Sequence, residues 1–556
     1  MMIIKRLPIG ISDFKNLIEN KYYFVDTTKL IGEVYREPSN ILLITRPRRF
    51  GKTLNMSMLS YFFDNRKKTS KLFDGLDVSR DLEVMNAMNG YPTLFVSFKD
   101  VNNNNWQTTS DKLKSLISDL FNQYKDAFKT ILEDAYERQY YEDILYGNAS
   151  DADYQKGFLK LTEYLYQTYN QPVILLIDEY DVPIQSGWNY GFYDDVIDFM
   201  RGLLSGALKD NSYLFKGILT GIYRVAKESI FSGLNNLSVF TIMNEEYATY
   251  FGFTESEVEE LFSAYNVSLE DRENIKRWYN GYNIGSNIVY NPWSLLNYLR
   301  FKDLKPYWIN TSSNNLIIEQ IEKNMLADEA FRLSVEELIG GNKIEKRIDD
   351  ASALRELDYD PDSVWTLFLF SGYLKVENQH LHKQTEELLY DCSIPNKEVL
   401  RFYKRTVINW LQKPARNILY DLAEPLIIGD GKSFFENLKK YVMNTLSYYD
   451  IKSEPENTYH MILLGMFAHL TGGYWILSNR ESGKGRYDIC LKAKNKEDYS
   501  AIIEIKSKGS QKAADVGIRQ IEDKVYFQDL VNEGYTKILK ISLSVDGKDI
   551  DGIVKT

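Results

Sequence analysis

Two apolar runs, and the residues that end each of them, constrain this chain more than anything else in it. Residues 41–53 read ILLITRPRRFGKT and residues 173–179 read VILLIDE. A near-continuous apolar run is what a strand buried on both faces of a parallel sheet requires. A first such strand emptying into Gly-Lys-Thr predicts a loop whose backbone N–H groups cradle phosphates at a helix N-terminus. A second strand ending in Asp-Glu predicts the carboxylates that reach Mg²⁺ and orient a water. The chain is therefore expected to bind a nucleoside triphosphate, ATP, together with Mg²⁺.

The loop departs from the usual G-x-x-x-x-G-K-[ST] spacing, because Arg46 stands where the first glycine belongs. The expected nucleotide-binding set is Arg46, Pro47, Arg48, Arg49, Phe50, Gly51, Lys52 and Thr53. Lys52 should reach the β- and γ-phosphates, Thr53 should hold Mg²⁺, and Gly51 should let the backbone come close. Pro47 could fix a turn made without the first glycine. The three arginines could add affinity for phosphates, or touch nucleic acid or a neighbouring subunit. Asp178 is the expected metal carboxylate and Glu179 the expected base for the attacking water. Thr220, at the end of another apolar run (FKGILT), could sense the γ-phosphate. Arg224 could stabilise transition-state charge in cis or across an interface, and a structural ion pair is an equal reading. Asp181 is expected to be structural or to support the site from outside.

At 556 residues the chain should split into about three domains of roughly 100–200 residues each. The formal net charge of -11 argues against a surface coated in nucleic acid, though not against a local basic groove. Two distant cysteines, Cys392 and Cys490, point to a reducing compartment without disulfides. Four histidines and those two cysteines make a structural zinc site an unfavoured reading. The N-terminus shows no signal-peptide pattern and no window nears the ~20 apolar residues of a membrane span. A cytoplasmic protein without a membrane partner is expected.

Residues 1–250 alternate strands and amphipathic helices, with strands expected at Ile41–Thr45, Thr93–Phe98, Val173–Ile177 and Phe215–Thr220. Residues 251–445 are expected to form a helical lid and a winged-helix-like region. Thr254 followed by Glu257 is a capping-box pattern, and the aromatics of WYNGYNIG (278–285) should pack a small helical domain. A helix at Asp362–Phe370 leading into strands Tyr373–Glu377 and Leu388–Cys392 could read DNA or could be plain packing. Residues 446–556 form the expected last domain, entered through the polar segment Ser447–Glu456.

That last domain carries a second constellation. RYDICLK (486–492) and SAIIEIKSK (500–508) read as strands. Side chains repeat every two residues along a strand, so Glu504 and Lys506 share a face. Asp488 lies one hairpin upstream. Two carboxylates and a lysine at one point could bind Mg²⁺ and support hydrolysis of a phosphodiester. Glu456, opening a helix, could add a third carboxylate. Gln520, in an amphipathic helix, could bring its amide and Tyr526 to the rim. Between Arg480 and Lys512 there are nine Lys/Arg against five Asp/Glu, a local positive balance that suits a phosphate backbone. A hairpin with solvated edge lysines is the plainer alternative.

Several longer phrases resemble one bacterial family: RPRRFGKTLNMSMLSYFF, VSFKD (96–100), IDEYDVP (177–183), LTGIYRVAKESIFSGLNN (219–236), YNGY (279–282), NPWS (291–294), NTSSN (310–314) and SIPNKEV (393–399). This is the AAA-ATPase-like family with a C-terminal PD-(D/E)xK nuclease-superfamily domain. The resemblance covers nearly the whole chain. It implies an α/β protein: an AAA-like P-loop domain with a mostly parallel sheet, a helical or winged-helix-like middle, and a restriction-endonuclease-like α/β domain. It implies Lys52, Thr53, Asp178 and Glu179 as an ATPase set, and Glu456, Asp488, Glu504, Lys506 and Gln520 as a nuclease set. The Arg46 loop belongs to that family's own pattern. AAA-type ATPases are often rings or dimers, which leaves a homo-oligomer open. The expected function is an ATPase whose nucleotide state controls a Mg²⁺-dependent nuclease acting on nucleic acid, DNA in the first place. The alternative is an ATP-dependent switch or assembly protein whose C-terminal domain binds nucleic acid or a partner without cutting.

Overall fold

Five apolar segments of the first 240 residues pair into one parallel sheet. They are β1 (Ile41–Thr45), β2 (Thr93–Ser97), β3 (Val173–Asp178), β4 (Leu214–Gly221) and β5 (Leu237–Phe240), in the order β2–β3–β4–β1–β5. Four of them match the expected runs to within a residue at either end. β1 and β3 are buried along their whole length, which explains why they carry no polar alternation. Because all five run parallel, Thr45, Asp178 and Gly221 end on the same edge, where open α/β sheets place their ligands. The computed structural model describes residues 5–223, 236–311, 314–350, 354–411, 418–445, 455–467, 470, 472–507 and 510–556.

The chain separates into two compact units, one of Met1–Ser313 with Glu345–Glu398, the other of Asn314–Ile344 with Val399–Thr556. The segment 251–445, expected as a region of its own, is thus divided between them. In the first unit the helix Glu255–Ala264 opens with the Thr254–Glu257 capping box, both reciprocal bonds present. The aromatic stretch after it is not purely helical. β6 (Phe253–Thr254), β7 (Tyr282–Ile284) and β8 (Asn287–Tyr290) form a small antiparallel sheet in the order β6–β8–β7. Gly285 at φ +55° makes the two-residue turn between β7 and β8, the hairpin geometry that demands a positive φ. The aromatics do pack as expected: Trp278, Tyr279, Tyr290 and Tyr298 share one core with Leu261 and Phe262. Further on, β9 (Ile344–Lys346), β10 (Lys375–Leu381) and β11 (Leu388–Ser393) pair in the order β10–β11–β9, with the helix Ser363–Phe370 leading into β10 and β11.

The second unit is built on a mixed sheet. Its strands are β12 (Tyr474–Ser478), β15 (Ile489–Ala493), β16 (Ser500–Ser507), β17 (Ile538–Asp546) and β18 (Asp549–Lys555), in that order, with β16 and β17 parallel and the other pairs antiparallel. The two-residue strands β13 (Glu481–Ser482) and β14 (Gly485–Arg486) form a small ribbon ahead of β15. The helices Pro455–Phe467 and Gln511–Asp523 pack on β16 and β17. Gly517 is where the second helix comes closest: a Cβ there would lie 2.2 Å from Ser542 Oγ and 3.3 Å from Lys506 Cγ. Most of the segment 447–456 lies outside the described residues, which resume at Pro455. No described helix is long and apolar enough to cross a membrane. Both cysteines are buried and unpaired.

Candidate functional site

The phosphate-loop sequence follows β1 as expected, and the helix Lys52–Phe63 starts directly from it. Gly51 caps that helix at φ +88°, and a Cβ on it would meet nothing within 4 Å. The glycine is needed for its backbone conformation and leaves open space in front of the helix N-terminus. Lys52 is buried, and its Nζ donates to the carbonyls of Arg46 (2.9 Å) and Pro47 (3.0 Å). An ammonium has three donors, so the loop binds two and one remains. Burial lowers the lysine's pKa, against the pull of Glu179 and Asp178.

Asp178 joins the three strand ends. Its Oδ2 accepts from Thr53 Oγ1 at 2.7 Å and its Oδ1 from Thr220 Oγ1 at 2.6 Å. The loop hydroxyl, the β3 carboxylate and the β4 hydroxyl are therefore brought together. Glu179 next to it holds a left-handed backbone, φ +53°, a conformation that costs a non-glycine residue about 1–2 kcal/mol. Its carboxylate accepts no hydrogen bond from the described residues. Burial raises its pKa against the field of Lys52. Asp181 is a clamp: its Oδ2 accepts from Ile222 N (2.9 Å), Tyr223 N (3.2 Å) and Gln185 Nε2 (2.8 Å). Gln185 in turn accepts from Arg48 Nη2 at 3.1 Å. Arg224 lies outside the described residues.

The structure separates the three loop arginines. Arg46 is 0% exposed, which rules out the expected contact of its side chain with nucleic acid or a neighbouring subunit. Its Nη1 donates to the carbonyls of Thr45 (2.8 Å) and Phe240 (3.0 Å), and its Nη2 to that of Glu246 (3.2 Å). The guanidinium ties the loop to the segment after β5, and burial lowers its pKa to about 9. Arg46 is not among the residues with positive φ, whereas Arg49 (φ +68°) and Gly51 are. The first glycine of the usual pattern is dispensable because the left-handed turn falls later in the loop. Arg49 lies over the Trp293 ring, 4.4 Å from its centroid. Phe50 is buried edge-on against Tyr282, at 5.1 Å, and Pro47 approaches Gly372.

In the second unit, Asp488, Glu504, Lys506 and Glu456 converge as expected. Asp488 Oδ2 accepts from Ile505 N at 2.6 Å, which fastens it to β16 beside Glu504. Lys506 Nζ donates to Glu504 Oε1 at 2.7 Å, so the two share a strand face. Glu456 accepts from the N–H of Ser507. Glu504 Oε2 is buried with no hydrogen-bond partner among the described residues. Burial, and then the neighbouring Asp488, push the Glu504 pKa up to about 7. Asp488 is also raised, chiefly by burial. For Lys506 burial acts downward, but Glu504 and Asp488 outweigh it and hold the lysine above its usual value. Gln520 Nε2 donates to Tyr526 Oη at 2.7 Å. Tyr526 is only 1% exposed, so it is a buried prop for the glutamine and not part of a rim.

Sequence reasoning missed the groups behind Asp488. His460, one helical turn after Glu456, places Nδ1 2.7 Å from Glu336 Oε1 and Nε2 3.2 Å from the Asp488 carbonyl. A carboxylate and a carbonyl both accept, so both ring nitrogens donate. Burial lowers the His460 pKa but Glu336 raises it by more. The i, i+4 spacing of Glu456 and His460 was a usable signal; nothing near Glu336 in the sequence was. Glu398, inside the phrase SIPNKEV, was also left without a role. It is fully buried and accepts from Ser294 Oγ (2.7 Å) and Trp308 N (2.6 Å).

Two stretches of the chain match known families. Residues 8–231 match the family described as "Predicted AAA-ATPase", and residues 454–553 match the PD-(D/E)XK nuclease superfamily. The chain is similar to an "Uncharacterized protein in vnfD 5'region" of Azotobacter chroococcum mcd 1, 27% identical over 427 residues that cover 75% of this chain and 74% of the relative. A solved structure of Drosophila ORC bound to AT-rich DNA and Cdc6 aligns at 12% identity, covering 70% of this chain and 91% of that one, with a TM-score of 0.18. That superposition is too slight to carry an argument. Strands β1 to β4 of the phosphate-loop sheet lie in the first matched segment and β12 to β17 in the second, so the chain carries a predicted AAA-ATPase domain and, at its C-terminus, a PD-(D/E)XK nuclease-superfamily domain.

Proposed function

We propose that the protein binds and hydrolyses ATP and that its nucleotide state controls a Mg²⁺-dependent nuclease in the C-terminal domain, acting on DNA. The observation that carries the nuclease reading is the convergence of Asp488, Glu504 and Lys506 around a buried carboxylate oxygen with no partner among the described residues. A buried polar atom left unpaired is costly, and a carboxyl whose pKa is raised by burial and by a neighbouring carboxylate favours a cation beside it. The donors are all oxygen, which suits Mg²⁺ or Mn²⁺. Asp488 and Glu504 would hold the cation, which would supply charge stabilisation and an activated water for phosphodiester hydrolysis. Lys506 then neutralises charge developing on the scissile phosphate, and Glu456 adds a carboxylate at the end of β16.

In the first unit the N–H groups around Gly51 and the spare donor of Lys52 face the phosphates. Thr53 and Asp178 would hold Mg²⁺, which would screen phosphate charge. Glu179 takes the proton of the attacking water, aided by its raised pKa, and Thr220 aligns Asp178. The open space in front of Gly51 and the shared contacts of Thr53, Asp178 and Thr220 suit such a group. Control of one site by the other is supported by chain connectivity. The polypeptide passes between the units at Ser313/Asn314, at Ile344/Glu345 and at Glu398/Val399, the last inside the helix Lys397–Leu411. Within the first unit, ring contacts run from Phe50 to Tyr282 (5.1 Å) and from Tyr282 to Trp308 (5.9 Å), whose backbone N–H donates to Glu398 at that helix.

The test is cleavage of plasmid and linear DNA with Mg²⁺, with and without ATP. Wild type should cut, and Asp488→Ala with Glu504→Ala should not. Lys52→Ala should remove the ATP dependence. Equal cleavage by wild type and the double variant would end the nuclease reading. ATP turnover that persists without metal-dependent cutting would instead favour a switch whose C-terminal domain binds without cleaving.

A further inference from the structure

Asp488 falls in the gap between β14 and β15, outside the strand ladder that would normally fix its peptide. Its carbonyl is held instead by two donors, Asn479 N at 2.9 Å and His460 Nε2 at 3.2 Å. Behind His460 stands a network: Nδ1 is 2.7 Å from Glu336 Oε1, Ser478 Oγ donates to the same oxygen at 2.7 Å and sits 3.2 Å from Nε2, and Asn479 Nδ2 donates to it at 3.3 Å. Glu336 is 3% and His460 5% exposed. Burying an ionic pair is a poor way to gain stability, since apolar side chains of similar volume do as well or better. Packing alone therefore does not explain it. What the pair touches does: the peptide of the carboxylate beside Glu504. His460 also follows Glu456 by one turn of the helix Pro455–Phe467, so one helix face serves the site twice.

We propose that His460, held by Glu336 and Ser478, is the positioning residue that aims the Asp488 carboxylate at the cation. The helix Glu329–Gly340, which carries Glu336, thereby completes a site whose other residues all lie within or beside the matched nuclease segment. This rests on the metal reading of the C-terminal site. The nuclease-superfamily segment alone is an incomplete site, and part of what it needs comes from more than 100 residues upstream (336 against 454).

The experiment titrates Mn²⁺ into the full-length chain without nucleotide and follows free Mn²⁺ by electron paramagnetic resonance. Asp488→Ala with Glu504→Ala defines the background. His460→Ala should weaken Mn²⁺ binding about 10- to 100-fold, the usual effect of losing a group that orients a ligand. His460→Gln, which keeps one N–H for the Asp488 carbonyl, should recover part of that loss. Glu336→Gln, nearly isosteric, should fall between wild type and His460→Ala. Thermal unfolding in chelator shows which variants fold; if His460→Ala does not, His460→Gln and Glu336→Gln decide. Affinities within twofold of wild type in the folded variants would overturn the positioning role. Wild-type binding no stronger than the double variant's would instead remove the metal reading itself, and this inference with it.

Discussion

Exchanging Arg46 for lysine separates a structural role from a phosphate-binding one. The guanidinium spans three carbonyls, those of Thr45, Phe240 and Glu246. Arginine's planar fork reaches several acceptors at once, and a lysine ammonium on its own stem does not. Arg46→Lys keeps the buried charge, and with it the burial cost that lowers the pKa to about 9, but gives up at least two of the three bonds. Hydrogen bonds to a charged group are worth about 1.5–3 kcal/mol each, so the loss is about 3–6 kcal/mol. Whole-domain stabilities are about 5–15 kcal/mol, so the change is large. The assay is urea unfolding of the full-length protein without nucleotide, followed by tyrosine and tryptophan fluorescence. The first unit's midpoint should drop, and nucleotide affinity measured below that midpoint should change little. Restoring the common glycine with Arg46→Gly should also destabilise and should not tighten binding, because Arg46 does not use a positive φ. An unchanged urea midpoint in Arg46→Lys, with weakened nucleotide binding, would refute the structural reading and return the side chain to the phosphates.

Glu179→Gln should keep ATP affinity within a few-fold and lower turnover by about 10²–10⁴-fold, the usual share of a general base; a coupled phosphate-release assay reads it, and near-normal turnover would point to another base. Thr220→Val removes the 2.6 Å bond to Asp178 and should lower turnover more than affinity in the same assay. Glu398 binds its proton more tightly folded, at about 7, than at its ordinary 4.5, because burial outweighs the bonds from Ser294, Trp308 and Ile309. Its contribution, about 3 kcal/mol, is complete below about pH 4.5 and is lost as pH rises through 7. Urea midpoints of wild type should therefore fall between pH 5 and 8, and Glu398→Gln should flatten that slope; identical slopes would show that Glu398 stays ionised in the fold.

The legible parts of the sequence obeyed short-range rules. β1, β3 and β4 announced themselves because strands covered on both faces need near-continuous apolar runs, broken in β4 only by Lys216 and Thr220 among its larger side chains, and their last residues then had to meet at one edge. Asp178, Thr53 and Thr220 could be placed on that ground alone. Glu504 and Lys506 needed only the two-residue period of a strand. The rest depended on partners that no periodicity names. The sequence shows that Arg46 replaces a glycine but not that the chain turns left-handed at Arg49 and Gly51 instead. It shows a polar Glu336 in a helix but not the imidazole that makes its burial tolerable. The stretch 278–290 misled because aromatics serve a helix core and a short hairpin equally well, and Gly285 was the deciding residue.

The two carboxylate sites differ in how far the protein alone satisfies them, and that difference has a consequence. Both oxygens of Asp178 already accept from hydroxyls, Thr53 and Thr220. A cation there must compete with those bonds, and triphosphate oxygens would have to make up the remaining ligands, as is usual for Mg²⁺ at phosphate sites. Glu504 keeps one buried oxygen without any partner among the described residues, and its proton affinity is raised by burial and by Asp488, so a cation relieves two costs at once. Divalent metal should therefore bind the C-terminal site without nucleotide and the loop site only with it. Isothermal titration of Mn²⁺ should show one high-affinity site in the nucleotide-free chain, abolished by Asp488→Ala with Glu504→Ala and untouched by Asp178→Ala. A second site should arise only with a non-hydrolysable ATP analogue, and it should vanish in Asp178→Ala. If the nucleotide-free site instead disappears with Asp178→Ala, hydrogen-bond saturation does not govern cation binding here, and the ordering of the two sites is reversed.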